Sequence, residues 1–210
     1  MSRSAIAILS TENLQHNLQT LKLKAPNTEV IAMVKANAYG HGLRSVSLRL
    51  QNQIASLGVA SIDEAQALRK AGVKCPITLC EGVFEPDELL AASCQRFHVV
   101  FHEENQIQWL ESISLPLPLK AWLKVDTGMG RLGFTIDQAE RAYQRLLQNP
   151  FIEKPLGIMS HLACSEIIDH PSNEIQRKAF NTFIQDKPGP KSFLNSGGIF
   201  NFPQDRFQTV

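Results

Sequence analysis

The sequence has few of the residues that link or anchor a protein. Only four of its 210 residues are cysteines, and none forms a C-x-x-C pair or has histidines at zinc-ligand spacing. A chain of this length can bury an adequate core without disulfides or metal. We therefore predict no structural metal site at Cys75, Cys80, Cys94 and Cys164, and reduced, packed thiols at Cys80 and Cys164, which lie in apolar stretches.

Long apolar runs and blocks of one charge are also absent. The apolar stretch Ala5–Leu9 is too short for a signal-peptide core or a membrane span, and no later run is long enough. The 21 Lys and Arg residues nearly balance the 20 Asp and Glu residues, and no basic stripe stands out. We expect a cytoplasmic protein that binds neither a membrane nor nucleic acid.

Short apolar runs alternate with longer amphipathic segments along the chain. In one such segment Ser61 and Glu64 form an S-x-x-E capping box, and Gly72 marks a stop. Strands that alternate with helices predict a parallel sheet of βαβ units in an α/β protein. The predicted strands are Glu29–Ala36, Ser56–Ala60, Pro76–Cys80, Phe97–Phe101, Leu119–Val125, Leu156–Leu162 and Ser192–Asn195; the predicted helices include Thr11–Ala25, Ile62–Ala71, Pro86–Ser93, Glu103–Leu110, Asp137–Gln148 and Asn173–Gln185.

Seven strands in succession, with no linker between them, favour a closed barrel over an open sheet. A barrel of this type has eight strands, so one strand is unaccounted for. Either Ala5–Leu9 closes the barrel or the chain is cut short. The segment Asn201 to Val210 is predicted as a short helix-like link with no strand after it.

A lysine ends the first predicted strand, in the sequence I-A-M-V-K-A-N-A-Y-G-H-G from Ile31 to Gly42. The C-terminal ends of barrel strands face the active-site mouth. Partial burial there lowers the pKa of a lysine and favours the neutral amine that forms a Schiff base. By position alone, Lys35 could also simply extend to solvent at the rim.

The nine residues V-K-A-N-A-Y-G-H-G that begin at Val34 favour a lysine that forms a Schiff base. They resemble, residue for residue, the cofactor-lysine signature of the alanine racemases. The resemblance implies that Lys35 holds pyridoxal phosphate (PLP) covalently and acts as a catalytic residue. It also implies that Tyr39 contacts the cofactor phosphate.

A second motif, L-K-V-D-T-G-M-G-R-L-G, begins at Leu123 on the fifth predicted strand. Its glycines predict a loop at the barrel mouth, and Arg131 offers a planar fork suited to a carboxylate. The motif is similar to K-x-D-T-G-M-G-R-x-G of the same family. The resemblance implies that Arg131 binds the substrate carboxylate beside the cofactor, and that Lys124, often carbamylated in the family, holds that arginine.

Two shorter motifs follow in the order expected for the family. M-S-H-L-A ends the sixth strand, and a lone histidine at such a position is typically a structural hydrogen-bonding group; the resemblance puts His161 in the layer beside the cofactor. N-S-G follows the seventh strand, where a hydroxyl and glycine amides suit a phosphate. Asn195 and Ser196 are therefore predicted to bind the cofactor phosphate.

The resemblance implies a TIM-type (β/α)8 barrel that is interrupted before its eighth strand. Residues 1–10 would form an N-terminal strand outside the barrel, and residues 11–210 an incomplete PLP-binding barrel. The family continues with an R-P-G strand, whose arginine bonds the cofactor ring nitrogen, and with a C-terminal β domain. We expect the chain to be an N-terminal fragment with exposed strand edges.

The function implied is interconversion of L- and D-alanine, which supplies D-alanine for peptidoglycan, by an enzyme that is a homodimer at full length. Racemisation needs acid–base groups on both faces of the substrate Cα. Lys35 serves one face, and a tyrosine of the C-terminal domain serves the other, so we expect little or no activity from this chain. A non-catalytic PLP-binding barrel, a racemase for another amino acid such as serine or lysine, and a non-enzymatic scaffold remain alternatives.

Overall fold

The computed structural model describes residues 8–210. The N-terminal strand predicted at Ala5–Leu9 falls mostly outside these residues, and Ile8 and Leu9 belong to no strand. Within the described part of the chain, no helix is both long and apolar enough to cross a membrane.

Parallel strands alternate with helices in the order that the sequence predicts. The strands are β1 (Ile31–Met33), β2 (Ser56–Val59), β3 (Ile77–Leu79), β4 (His98–Phe101), β5 (Ala121–Lys124), β6 (Gly157–Met159) and β7 (Lys191–Ser192). The helices are α1 (Thr11–Lys24), α2 (Lys35–Tyr39), α3 (Leu43–Leu50), α4 (Ile62–Lys70), α5 (Pro86–Gln95), α6 (Glu104–Ser112), α7 (Ile136–Gln148), α8 (Pro171–Ile184), α9 (Ser196–Asn201) and a 3-10 turn (Pro203–Asp205).

The seven strands form one sheet in sequence order, β1 to β7, and every pairing is parallel. β2 and β3 are buried along their whole length, as expected for strands covered on both faces. The close packing between strands is visible at Gly157, where a Cβ atom would lie 2.5 Å from the ring of Trp122. This confirms the α/β fold and the seven predicted strands.

The last residues of the chain depart from the predicted helix-like link. Helix α9 and the 3-10 turn are followed by an extended segment, residues 208–210, that lies between β7 and β1. Thr209 forms parallel bridges with both Glu29 and Ser192. The Ile31 N–H donates to the Val210 carbonyl at 2.7 Å, and the Thr209 N–H donates to the Lys191 carbonyl at 3.1 Å. Residues 208–210 therefore bridge the two edges of the sheet, at β7 and at the start of β1.

Helix α8 anchors this terminal segment. Phe180 stacks on Phe193, with ring centroids 4.7 Å apart, and meets Phe207 edge-on at 5.6 Å. Arg177 forms an ion pair with the buried carboxylate of Asp205. These contacts bring together segments that are distant in sequence, which explains why local patterns did not reveal the pairing.

Candidate active site

The predicted site residues come together at one end of the barrel. Lys35, Lys124 and His161 lie at or just after the C-terminal ends of β1, β5 and β6. Because parallel strands all end on the same side of a sheet, these side chains share the barrel mouth. Their charges are also close enough to interact, because Lys124, Arg131 and Lys35 all lower the pKa of His161.

Lys35 begins a turn with an uncommon backbone conformation. Ala36, Asn37, Ala38 and Tyr39 all have positive φ angles, between 52° and 57°. For residues with a Cβ atom, a left-handed helical conformation costs roughly 1–2 kcal/mol per residue. The predicted strand Glu29–Ala36 therefore ends early, at Met33, and the rest of the protein must hold the turn in place.

Glu64 on α4 fixes this turn through two backbone groups. Its Oε1 atom accepts from the Ala36 N–H at 2.7 Å, and its Oε2 atom accepts from the Ala60 N–H at 2.9 Å. Ser61 caps α4 as predicted, accepting from the Glu64 N–H at 3.5 Å. The predicted return bond of the capping box does not form, because the Glu64 carboxylate is used to position the Lys35 turn.

The amine of Lys35 forms an ion pair with a carboxylate that sequence reasoning missed. Lys35 Nζ donates to Glu81 Oε1 at 3.0 Å, and both side chains are about one-third exposed. Glu81 lies two residues after β3, and its own carbonyl accepts from His102 Nε2 at 2.8 Å. A carboxylate just beyond a fully buried strand was the available signal in the sequence.

Lys124 is the most buried cation of this group. Burial lowers its pKa, and the charges of Arg131 and Lys35 lower it further, while Cys80 and Glu81 oppose the shift. Burial also raises the pKa of Cys80 to about 11, so this thiol stays protonated at neutral pH. Lys124 is thus a lysine whose neutral amine is favoured more than usual.

The loop that carries Arg131 is folded around one carboxylate. Asp126 Oδ1 accepts from the backbone N–H groups of Gly128 and Met129, both at 2.9 Å. Gly133 closes the loop with φ of +122°, and a Cβ there would lie 2.7 Å from the Asp126 nitrogen. Arg131 itself is exposed. The loop thus holds a rigid backbone and leaves the guanidinium open to solvent.

His161 lies largely buried beside these cations. Burial, followed by the charges of Lys124, Arg131 and Lys35, lowers its pKa to about 4, so the ring is neutral at pH 7. Its Nε2 atom lies 3.4 Å from Asn195 Nδ2. His161 therefore places an uncharged ring among the positive charges of Lys35, Lys124 and Arg131.

A network of buried polar side chains below the site was not predicted. Gln176 on α8 accepts from the Ala163 N–H at 3.0 Å and donates to the His161 carbonyl at 2.9 Å. Gln176 also donates to Thr127, whose hydroxyl meets that of Ser160 at 2.9 Å. The network ties the ends of β5 and β6 to α8. Thr127 and Ser160 lie within the motifs described above, but Gln176, which connects them to α8, belongs to no motif.

Asn195 and Ser196 have different environments. Asn195 caps α9, accepting from the Gly198 N–H at 3.0 Å and from the Ser165 hydroxyl at 2.6 Å. Ser196 is exposed at the start of α9, and the Tyr39 residue is 60% exposed. The hydroxyls of Ser196 and Tyr39 therefore remain open to a ligand, while the Asn195 oxygen already has two donors.

The whole described architecture matches a known family. The family model described as "Alanine racemase, N-terminal domain" covers residues 9–210. The chain belongs to the alanine racemase family.

Curated members of the alanine racemase family agree with this assignment. The chain is 42% identical over 208 residues to the biosynthetic alanine racemase of Escherichia coli strain K12. The matched region covers 99% of this chain and 58% of the relative. The biosynthetic alanine racemase of E. coli O6:H1 is also 42% identical, over 98% of this chain and 57% of its own length. The chain thus spans somewhat more than half the length of these relatives.

Solved alanine racemases share the fold. The crystal structure of the biosynthetic enzyme from Pseudomonas aeruginosa superposes with a TM-score of 0.90 at 32% identity, over 95% of this chain and 56% of that one. An alanine racemase from Bartonella henselae, described with covalently bound pyridoxal phosphate, gives a TM-score of 0.80 at 30% identity over 96% of this chain and 60% of that one. The alanine racemase barrel predicted from the sequence is confirmed.

Proposed function

We propose that the chain binds PLP through Lys35 and forms the cofactor-binding part of an enzyme that interconverts L- and D-alanine. The observation that carries the proposal is the position of Lys35, whose amine projects from a rigid turn into a group of charged residues at the barrel mouth. The covalently bound cofactor of the B. henselae relative supports the same assignment.

The charges at the barrel mouth suit an anionic cofactor and an anionic substrate group. The charges of Arg131, Lys35 and Glu81 all act on Lys124, and the Glu81 carboxylate contacts the Lys35 amine. A phosphate or a carboxylate would offset the excess positive charge. We assign the phosphate to the exposed hydroxyls of Tyr39 and Ser196, with Asn195 holding the backbone beneath it.

The residues would divide the chemistry between them. Bound PLP supplies an electron sink that stabilises negative charge at the substrate Cα. Lys35 removes or returns a proton on one face of that carbon, Arg131 orients the substrate carboxylate, and His161 contacts the cofactor as a neutral ring. A second acid–base group, which the family resemblance assigns to a tyrosine of a later domain, serves the other face.

Lys124 is proposed as a carbamylated lysine. Its lowered pKa favours the neutral amine, which is the form that combines with carbon dioxide. Carbamylation would replace a positive charge beside Arg131 with a negative one, and would hold the guanidinium by a charge-assisted hydrogen bond.

The remaining parts of the proposal concern the whole enzyme. We propose alanine as its substrate, a homodimer as its assembly, the cytoplasm as its location, and peptidoglycan synthesis as the use of its D-alanine. The names of the relatives, biosynthetic alanine racemases, support alanine as the substrate and a biosynthetic use of the product. The homodimer, the location and the link to peptidoglycan follow from the family resemblance.

Substitution of the cofactor lysine tests the proposal. We expect the purified chain to develop the visible absorbance band of lysine-bound PLP, and the Lys35→Ala variant to develop none, because alanine has no amine. Absorbance spectra and intact mass after borohydride reduction measure the covalent bond. Lys70→Ala, which removes an exposed lysine on α4, is the matched control and should behave as wild type.

Two results would contradict the proposal. One is a wild-type chain that gains no cofactor mass on reduction, and the other is a Lys35→Ala variant that gains as much as wild type. The second result would point to another lysine, such as Lys124, as the attachment point.

A further inference from the structure

The ion pair between Lys35 and Glu81 has no part in the function described above. The Lys35 amine donates to Glu81 Oε1 at 3.0 Å, and the two residues are 46 positions apart in sequence. Their contact therefore depends on the sheet, in which β1 and β3 lie on either side of β2. Neither partner is fully exposed, so the pair is less screened than one in open solvent.

The position of Glu81 is held from its own backbone. His102 Nε2 lies 2.8 Å from the Glu81 carbonyl, and Gln106 Nε2 donates to the same carbonyl at 3.3 Å. Gly82, the next residue, has φ of +70°, and a Cβ there would lie 2.5 Å from the Val100 carbonyl. The strand end is thus fixed tightly, and the carboxylate is directed at Lys35.

We infer that Glu81 accepts the proton of the Lys35 ammonium during cofactor attachment and returns it to the oxygen that leaves as water. The inference rests on the proposed role of Lys35. It assigns to Glu81 a task in loading the enzyme with PLP, an aldehyde, before any substrate is bound.

The proton balance of the step supports the inference. An ammonium has no lone pair, so Lys35 must first give one proton to the carboxylate that touches it. The neutral nitrogen then forms a bond with the aldehyde carbon, and one of its remaining protons passes to the former carbonyl oxygen to give a hydroxyl. Glu81 returns its proton to this hydroxyl, the carbon–oxygen bond breaks, and water leaves. The product is a protonated carbon–nitrogen double bond, and Glu81 is again a carboxylate.

Among the charged groups around Lys35, Glu81 is the one placed to accept a proton from its amine. Lys35 shares the site with two other cations, and Glu81 is the carboxylate that acts on both Lys35 and Lys124. The ionisable groups that face the pair from the neighbouring elements are Glu64, Cys80, His102, Lys124, Arg131 and His161. Only Glu81 among them has an oxygen in contact with the Lys35 amine.

The test follows the rate of cofactor attachment in cofactor-free protein. Wild type, Glu81→Gln and Glu81→Asp are mixed with PLP over a series of pH values, and the visible band is recorded by stopped-flow absorbance. We expect Glu81→Gln to load about tenfold more slowly or worse at neutral pH, a modest value for the loss of acid–base catalysis. The difference should shrink toward about pH 10, where lysine amines lose their protons without help.

Two variants separate this role from a structural one. Glu81→Asp keeps a carboxylate one methylene shorter and should load at an intermediate rate. Glu85→Gln makes the same chemical change at the residue preceding α5, where the side chain makes no capping hydrogen bond, and should load at the wild-type rate.

The possible outcomes distinguish this inference from the proposed function. Equal loading by Glu81→Gln and wild type at every pH would overturn the inference and leave the proposed function standing. A defect of the same size at every pH would also overturn it, because a misplaced lysine is slow whether or not it is protonated. If wild type forms no band, the proposed function fails and the inference falls with it.

Discussion

The left-handed turn after Lys35 concentrates conformational strain beside the proposed cofactor lysine. Four successive non-glycine residues have positive φ, and Glu64 satisfies the first amide of the turn from a different helix. A carboxylate can accept from two N–H groups, one on each oxygen, as Glu64 does with Ala36 and Ala60. The two hydrogen bonds that Glu64 accepts therefore stabilise the fold and also hold the turn that positions Lys35.

The substitution Glu64→Gln should weaken this connection without changing side-chain size. The amide has one acceptor oxygen, so either the Ala36 or the Ala60 N–H loses its partner, and a hydrogen bond worth about 0.5–1.5 kcal/mol is lost. We expect a lower free energy of unfolding, measured with urea, and PLP binding weaker by about tenfold, since 1.4 kcal/mol corresponds to that factor.

Asp63→Asn is the control for this prediction. Asp63 is exposed in the first turn of the same helix. It should change the unfolding free energy by only a few tenths of a kcal/mol. An unfolding free energy and a PLP affinity in Glu64→Gln that match those of Asp63→Asn would show that the contact does not support the turn.

At the scale of elements, helix α8 determines where the chain end lies. Arg177 on this helix contacts two carboxylates of different exposure, Asp205 at 5% and Glu174 at 76%. The hydrogen bond that Arg177 donates to the Asp205 carboxylate raises the pKa of Arg177. Because Asp205 lies in the 3-10 turn just before residues 208–210, this ion pair holds the segment that bridges β7 and β1.

The two carboxylates allow a matched comparison around one guanidinium. Asp205→Asn should lower the free energy of unfolding by about 1.5–3 kcal/mol, because it removes the charge from a buried hydrogen bond. Glu174→Gln should change it by less than about 1 kcal/mol, since the pair is exposed. Urea unfolding of both variants measures the difference, and equal effects would argue against a special role for Asp205.

At the scale of the whole molecule, two partly buried histidines make stability depend on pH. The pKa of His98 is lowered to about 4 by burial and by the charges of Lys120 and Arg69, and that of His161 is lowered to about 4 as well. In the unfolded chain a histidine titrates near 6.5. Between these values the unfolded state binds more protons, so the stability present above pH 6.5 is lost as the pH falls toward 4.

We expect the free energy of unfolding to fall between about pH 6.5 and pH 4 by up to 1.4 kcal/mol per pH unit for each of these histidines. His98→Gln should reduce the slope by about half, and His16→Gln, which alters an exposed residue of α1, should leave it unchanged. Urea titrations at several pH values measure the slope. A His98→Gln slope equal to that of wild type would contradict the prediction.

The sequence by itself predicted the features that depend on neighbouring residues. Helical periodicity, caps and short apolar runs identified the strands and most helices, because these signals act within a few residues. The motif around Lys35 identified the family, and the family model confirms it over residues 9–210. The roles given to the individual site residues remain predictions.

The tertiary structure alone decided which distant groups touch. Glu64 reaches Ala36 across 28 positions and Glu81 reaches Lys35 across 46, and Thr209 pairs with Glu29 near the other end of the chain. These contacts depend on strand register and on the curvature of the sheet, which are set by packing over the whole barrel. No local pattern encodes them, so the partners of Lys35 became visible only in the folded chain.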